Sequence, residues 1–159
     1  EVAERLLSTG MFKGIKDSSG DWDYTARLLA LRQERDVMVY VGNDRLFLRG
    51  RSNGADGGVS GVACAAPELM LALDRAIQSG CTDLAERLNH RLYEFIEQID
   101  ALPVPVGIKT AVAVRGIKRG PCATPFGPEG GARVERFRDW FREWLPHVQK
   151  ECKDAALVR

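Results

Sequence analysis

Apolar residues follow two different rhythms along this chain, and the change comes near Gly80. Before that point, short apolar runs alternate with helical spacing and are separated by Gly, Ser, Asp and Asn. Leu6 and Leu7 within Glu1–Ser8 predict the end of an amphipathic helix stopped by Gly10. Met11–Ile15 reads as a short buried strand with Lys16 at its end, followed by a loop, Asp17–Asp21, that finishes on a helix cap. Tyr24, Leu28, Leu29 and Leu31 mark a helix to about Gln33. Val37–Val41 is a second strand whose loop opens at Gly42 and Asn43, and Leu46, Phe47 and Leu48 are the apolar content of a short helix. Gly54–Val62 reads as a third, glycine-rich strand, and Pro67-Glu68 opens a helix to about Ser79.

After Gly80 the spacing is purely helical: Leu84 to Ile99, Val106 to Val114 behind two prolines, and Val134 to about Cys152. Phe137, Trp140, Phe141 and Trp144 form the apolar stripe of the last segment, which Pro146 is expected to kink or divide. The strict alternation of strand and helix predicts an α/β fold with a parallel sheet over residues 1–79, followed by a helical domain over residues 80–159. Three parallel strands would leave two edges without hydrogen-bond partners and one face poorly covered. Further strands are therefore expected from an N-terminal segment or from another chain. The first residue is not Met, so the sequence is expected to start after processing or cleavage, or within a longer protein.

Composition narrows the function. At 159 residues, 45% hydrophobic and 28% charged, the chain has the make-up of a folded globular protein. Lys+Arg 23 against Asp+Glu 22 leaves a net charge of +1, too little to hold nucleic acid or an anionic membrane by bulk field. The basic cluster Lys109, Arg115, Lys118 and Arg119 lacks interleaved aromatics and reads as a solvated helix face. No apolar run approaches the ~20 residues of a membrane span. Cys64, Cys81, Cys122 and Cys152 are widely spaced, which disfavours a zinc or dithiol centre and fits a reducing cytoplasmic setting. His90 and His147 fall in helices, and neither is expected to find a second metal ligand one turn away, so we expect no metal.

The strongest chemical signal is Lys16, a lysine at the C-terminal end of a strand, where parallel barrels assemble their active sites. Low-dielectric walls there would disfavour the ammonium form and free the amine to attack a carbonyl as a nucleophile. The plainer reading is a surface lysine paired with Asp17 or Asp21. The glycines of Gly54–Gly61 lie within a strand rather than between a strand and a helix N-terminus, which speaks against nucleotide binding.

Residues 14–21, Gly-Ile-Lys-Asp-Ser-Ser-Gly-Asp, resemble the Schiff-base strand of the dihydrodipicolinate synthase / N-acetylneuraminate lyase family. Gly42-Asn43-Asp44, Gly54–Ser60 and Leu102–Lys109 are similar, in the same order, to that family's loop after strand seven, its strand eight and its C-terminal proline segment. The resemblance implies strands six to eight of a TIM (β/α)8 barrel plus the C-terminal helical domain, with the N-terminal strands missing. It implies that Lys16 is the Schiff-base lysine, that no cofactor is needed, and that the protein forms a dimer or tetramer. Gly42, Val59 and Ser60 match positions where the family's backbone approaches substrate. Ser18, Asn43 and Asp44 would lie on the rim and contact the second substrate. The family's Gly-Thr-Thr-Gly-Glu and Tyr-Asn-x-Pro motifs do not occur here. Tyr24, Tyr40 and Tyr93 are read as helix face, buried strand and helix face, and none as catalytic.

Asp44-Arg45 and Gly61 replace the Asp-Glu pair and serine of the sialate-cleaving branch, which speaks against sialate. Cys64 in place of a frequent asparagine, and Asp17-Ser18-Ser19 in place of Glu-Ala-Thr, lean towards a sugar-acid or hydroxy-oxo-acid aldolase. The resemblance thus implies a lyase, aldolase or dihydrodipicolinate synthase acting on pyruvate or a related 2-oxo acid with an aldehyde partner. The competing reading is a non-catalytic barrel fragment acting in assembly with a complementary chain.

Overall fold

The computed structural model describes residues 2–123 and 127–157. Its elements run α1 (Val2–Ser8), β1 (Gly14–Asp17), α2 (Trp22–Glu34), β2 (Met38–Val41), a 3-10 turn (Asp44–Leu46), α3 (Phe47–Ser52), β3 (Gly57–Gly58), α4 (Val62–Ala65), α5 (Pro67–Gln78), α6 (Thr82–Asp100), α7 (Val106–Val114) and α8 (Pro128–Leu157). The three strands form one parallel sheet in the order β1-β2-β3, with Lys16 opposite Tyr40 and Val41 opposite Gly58.

Alternation along the strands gives the sheet two unlike faces. Ile15, Val39 and Val41 pack with Leu28, Leu29 and Ala55 beneath the helices. Gly14, Lys16, Met38 and Tyr40 occupy the other positions, and among the described residues no layer covers that face: Lys16 and Met38 are exposed and Tyr40 is half-buried. Tyr40 is therefore not the buried residue its strand suggested, because helices cover only one side.

Several element boundaries differ from the sequence reading; β1 begins at Gly14, after the exposed Met11 and Phe12, and α8 begins at Pro128. The first strand runs two residues further than Ile15, so Lys16 lies within it. The third shrinks to Gly57–Gly58, although the Val59 N–H still donates to the Val41 carbonyl at 2.9 Å, and Val62 starts a helix instead of ending the strand. Pro146 neither ends nor divides α8, which runs through it. It sits on the exposed side of the helix, as do Arg142 and His147. The carbonyl its ring leaves without a partner therefore faces water.

Asp56 ties the sheet to its helices. Its carboxylate accepts from Arg32 Nε and Nη2 at 2.8 and 2.7 Å and from the N–H of the fully buried Val39 at 2.8 Å. The hydrogen bonds from Arg32 hold the Asp56 carboxyl down at about 2. A depressed folded-state value means the stabilisation is complete above the ordinary value of ~3.9 and is lost as pH falls through about 2. Asp56→Ala strands the Val39 N–H and is expected to cost about 1–3 kcal/mol at neutral pH by urea unfolding. The deficit should shrink as pH drops from 4 towards 2; an equal deficit at both ends of that window would contradict the assignment.

The larger core is helical and takes in residues on both sides of Gly80, from Phe47 and Leu73 to Phe95, Phe141 and Val148. The aromatic stripe of α8 lies in it, with Trp144 Nε1 donating to Glu94 at 2.8 Å. Arg115 belongs to a partly buried network rather than a solvated face, donating to the Ala65 carbonyl and to Glu68. All four cysteines are free, and burial, then Glu68 and Glu151, push the Cys152 thiol up to about 11.

Candidate active site

The direction of Lys16 is set by its neighbours in β1. Ile15 packs into the helix-side core, and Asp17, buried, accepts from Thr25 Oγ1 of α2 at 2.6 Å and from the Ser19 N–H at 2.9 Å. Two anchors on one face send the residue between them to the other. Asp17 is thereby turned away from Lys16, while Asp21 caps α2 by accepting from the Asp23 and Tyr24 N–H groups. Neither carboxylate suggested as a surface partner pairs with Lys16.

The Lys16 side chain lies across Gly42. A Cβ there would collide with Lys16 Cε and Ser18 Oγ and stand 2.9 Å from the Asp17 carbonyl, whose oxygen accepts from the Gly42 N–H at 2.6 Å. Only glycine admits this approach. Gly20, at φ +74, turns the preceding loop so that its Cα faces the Asn43 amide. Asn43 holds the next turn, its Oδ1 accepting from the Arg45 N–H at 3.1 Å.

Asp44 follows. Burial pushes its carboxyl above the ordinary carboxylate value, while the Ser60 hydroxyl, the Val62 N–H, the Lys16 charge and the Gly61 N–H pull it down. The Ser60 oxygen also accepts from the Ala63 N–H at 3.0 Å. Lys16, Ser18, Gly42, Asn43, Asp44, Val59 and Ser60 thus all lie at or just beyond the C-terminal ends of the strands, with Val59 exposed. Asp44 feels the lysine's charge.

The enclosing walls expected around Lys16 are not supplied by the described residues, which leave Lys16 exposed. In a barrel those walls are side chains of strands across the lumen, and three strands do not close one. Clefts of about 720 and 830 Å3 lie elsewhere, between the Leu102–Val106 segment and α8, and between α5 and α8. Lys16 lines neither.

Sequence reasoning missed Tyr40, which stands opposite Lys16 on the open face, and Tyr93, whose hydroxyl reaches the Arg45 carbonyl at 2.9 Å. The two-residue alternation of β2 carried a signal for the first; nothing local marked the second. It also missed Glu94, one turn beyond His90 and 3.5 Å from its Nε2. Among the described residues no group of three or more His, Cys, Asp or Glu could hold a metal ion, and no helix is long and apolar enough to cross a membrane.

Comparison with known proteins agrees with this arrangement. A 4-hydroxy-tetrahydrodipicolinate synthase of Methanothrix thermoacetophila is 29% identical over 139 residues, 87% of this chain and 47% of its own. One from Alcanivorax borkumensis is 31% identical over 145 residues, 90% and 48% of the two chains. The solved 4-hydroxy-tetrahydrodipicolinate synthase of Methylacidiphilum fumariolicum superposes with a TM-score of 0.76 at 25% identity, over 94% of this chain and 51% of that one. N-acetylneuraminate lyase of Fusobacterium nucleatum complexed with pyruvate superposes with a TM-score of 0.78 at 19% identity, over 89% and 47%, a likeness of fold. The chain spans about half the length of the curated relatives it matches, and its sheet and helices are part of a TIM barrel with the helices that follow it. Residues 1–140 match the pattern of the Dihydrodipicolinate synthetase family, and the chain belongs to that family of lyases and synthases.

Proposed function

We propose that this chain carries the Schiff-base lysine of a lyase, aldolase or synthase acting on pyruvate or a related 2-oxo acid, and that its strands are strands six, seven and eight of the complete barrel. The carrying observation is Lys16 itself, directed to the uncovered face by Ile15 and Asp17 and laid across Gly42 at the C-terminal mouth. Membership of the Dihydrodipicolinate synthetase family supports the same substrate class.

The step asked of Lys16 is nucleophilic. The neutral amine adds its lone pair to the keto carbon, the keto oxygen takes up protons and leaves as water, and a protonated imine remains. That imine draws electrons from the neighbouring carbon, which loses a proton to give an enamine; the enamine attacks an aldehyde carbonyl, and the reverse sequence cleaves the same bond. Water then releases the product and regenerates the amine. The proton carriers and the walls that desolvate the amine come from the remaining strands, in an N-terminal segment or a complementary chain, within a homo-oligomer. Ser18, Asn43, Asp44 and Ser60 then border the aldehyde side of the cavity, and the backbone at Gly42 and Val59 borders the oxo acid.

The test is borohydride reduction of the assembled barrel, this chain co-expressed with a segment supplying the other five strands of eight. With pyruvate present, peptide mass spectrometry should locate a reduced adduct on Lys16. A closed barrel that yields no adduct at Lys16 would refute the reading and leave only an assembly role.

A further inference from the structure

The turn Asp44–Leu46 faces two ways. On one side Asp44 meets Ser60 and the backbone at Gly61 and Val62 beyond β3. On the other, its neighbour Arg45 reaches the helical half: its guanidinium stands 5.5 Å from the Tyr93 ring centroid and pairs with Asp100 at 2.6 Å. Between them the Tyr93 hydroxyl of α6 donates to the Arg45 backbone carbonyl at 2.9 Å. The Arg45–Asp100 pair is largely solvent-exposed and holds little. The Tyr93 hydroxyl is half-buried and bonds backbone, so it fixes the Arg45–Leu46 peptide, one residue beyond Asp44, rather than a mobile side chain.

We propose that Tyr93 is a positioning residue: acting from the helical half through the Arg45 carbonyl, it fixes the Asp44 turn beyond the C-terminal end of β2 and so sets the affinity for the hydroxylated aldehyde substrate. The inference rests on the Schiff-base reading above and adds to it a residue outside the barrel. The oxo acid is bound at the lysine end and the aldehyde at the Asp44 turn, so loss of the Tyr93 hydroxyl separates the two affinities.

Tyr93→Phe keeps the ring packed and deletes only the donor. In the assembled barrel, with pyruvate and glyceraldehyde as probes, KM for glyceraldehyde should rise roughly 3- to 10-fold, the loss expected of one hydrogen bond. KM for pyruvate and the rate of borohydride trapping at Lys16 should not change. In an Asp44→Ala background the same substitution should add nothing, because the group it positions is gone. Equal rises in both KM values, or additive losses in the double variant, would overturn the role of Tyr93 and leave the Schiff-base reading standing. Trapping that glyceraldehyde neither consumes nor slows would remove the aldehyde from the Asp44 turn and overturn it too. Absence of trapping in the unmutated barrel would overturn both.

Discussion

Lys16→Ala, made in the assembled barrel, is expected to abolish adduct formation with pyruvate and to lower turnover by roughly three to six orders of magnitude, the scale on which loss of a covalent nucleophile is felt. No other lysine of this chain lies in a strand. Lys13, the only other lysine before Gly80, lies ahead of β1 at the opposite end of the strands, and Lys109, Lys118, Lys150 and Lys153 belong to the helical half. Lys16→Arg sharpens the test. The guanidinium keeps a positive charge beside Asp44, and so preserves the electrostatic contact, but it does not deprotonate to form an imine. Both variants should be equally inactive while their unfolding midpoints stay close to that of the parent, since Lys16 belongs to neither hydrophobic core. An arginine variant retaining more than about a tenth of the parental turnover would show that the positive charge, not the amine, is what the site uses.

How much of this could be read from the residues depends on how local the deciding interaction is. The alternation Ile15, Lys16, Asp17 was legible as a strand end, but which face each residue takes was settled by Thr25, eight positions on, whose hydroxyl donates to the buried Asp17 carboxylate. The glycine that admits the lysine was named from its motif, yet its reason, the collision a Cβ would make with Lys16 and Ser18, needs the neighbouring strand in place. The length of the third strand was overestimated because Gly57 and Gly58 pair with β2 while the residues after them are captured by a helix start, with Ser60 accepting from Ala63. Pro146 was overweighted because its cost depends on which side of α8 it occupies, and it occupies the wet side. Tyr93 was invisible altogether: its partner is a backbone carbonyl, which leaves no trace in residue identity, and it lies 48 positions away. The enclosing walls were expected around Lys16 for a reason that is sound only for a closed barrel.

Phe95→Ala is expected to be the most destabilising single change in the chain, about 3–5 kcal/mol, the range for truncating a fully buried aromatic. Leu88, Leu92 and Phe95 recur along one face of α6 and are all 0% exposed, so this face is the floor of the helical core. Phe95 is its centre: its ring centroid lies 5.5 Å from that of Trp144, 5.6 Å from Phe141 and 6.0 Å from Phe137. Alanine would remove the edge-to-face contacts to Phe137 and Phe141 and leave a cavity among rings already packed against one another, with little freedom to collapse into it. At about 2–4 °C per kcal/mol for a chain of this size, the melting midpoint should fall by roughly 6–20 °C, read by far-ultraviolet circular dichroism and by the fluorescence of Trp140 and Trp144. The same helix carries Tyr93 two residues earlier on the side that meets the Arg45 turn. Phe95→Ala should therefore lower stability without separating the two substrate affinities below the melting range, whereas Tyr93→Phe should separate the affinities with little change in midpoint. A midpoint shift under about 2 °C for Phe95→Ala would mean that the helical core is held elsewhere than at this aromatic cluster.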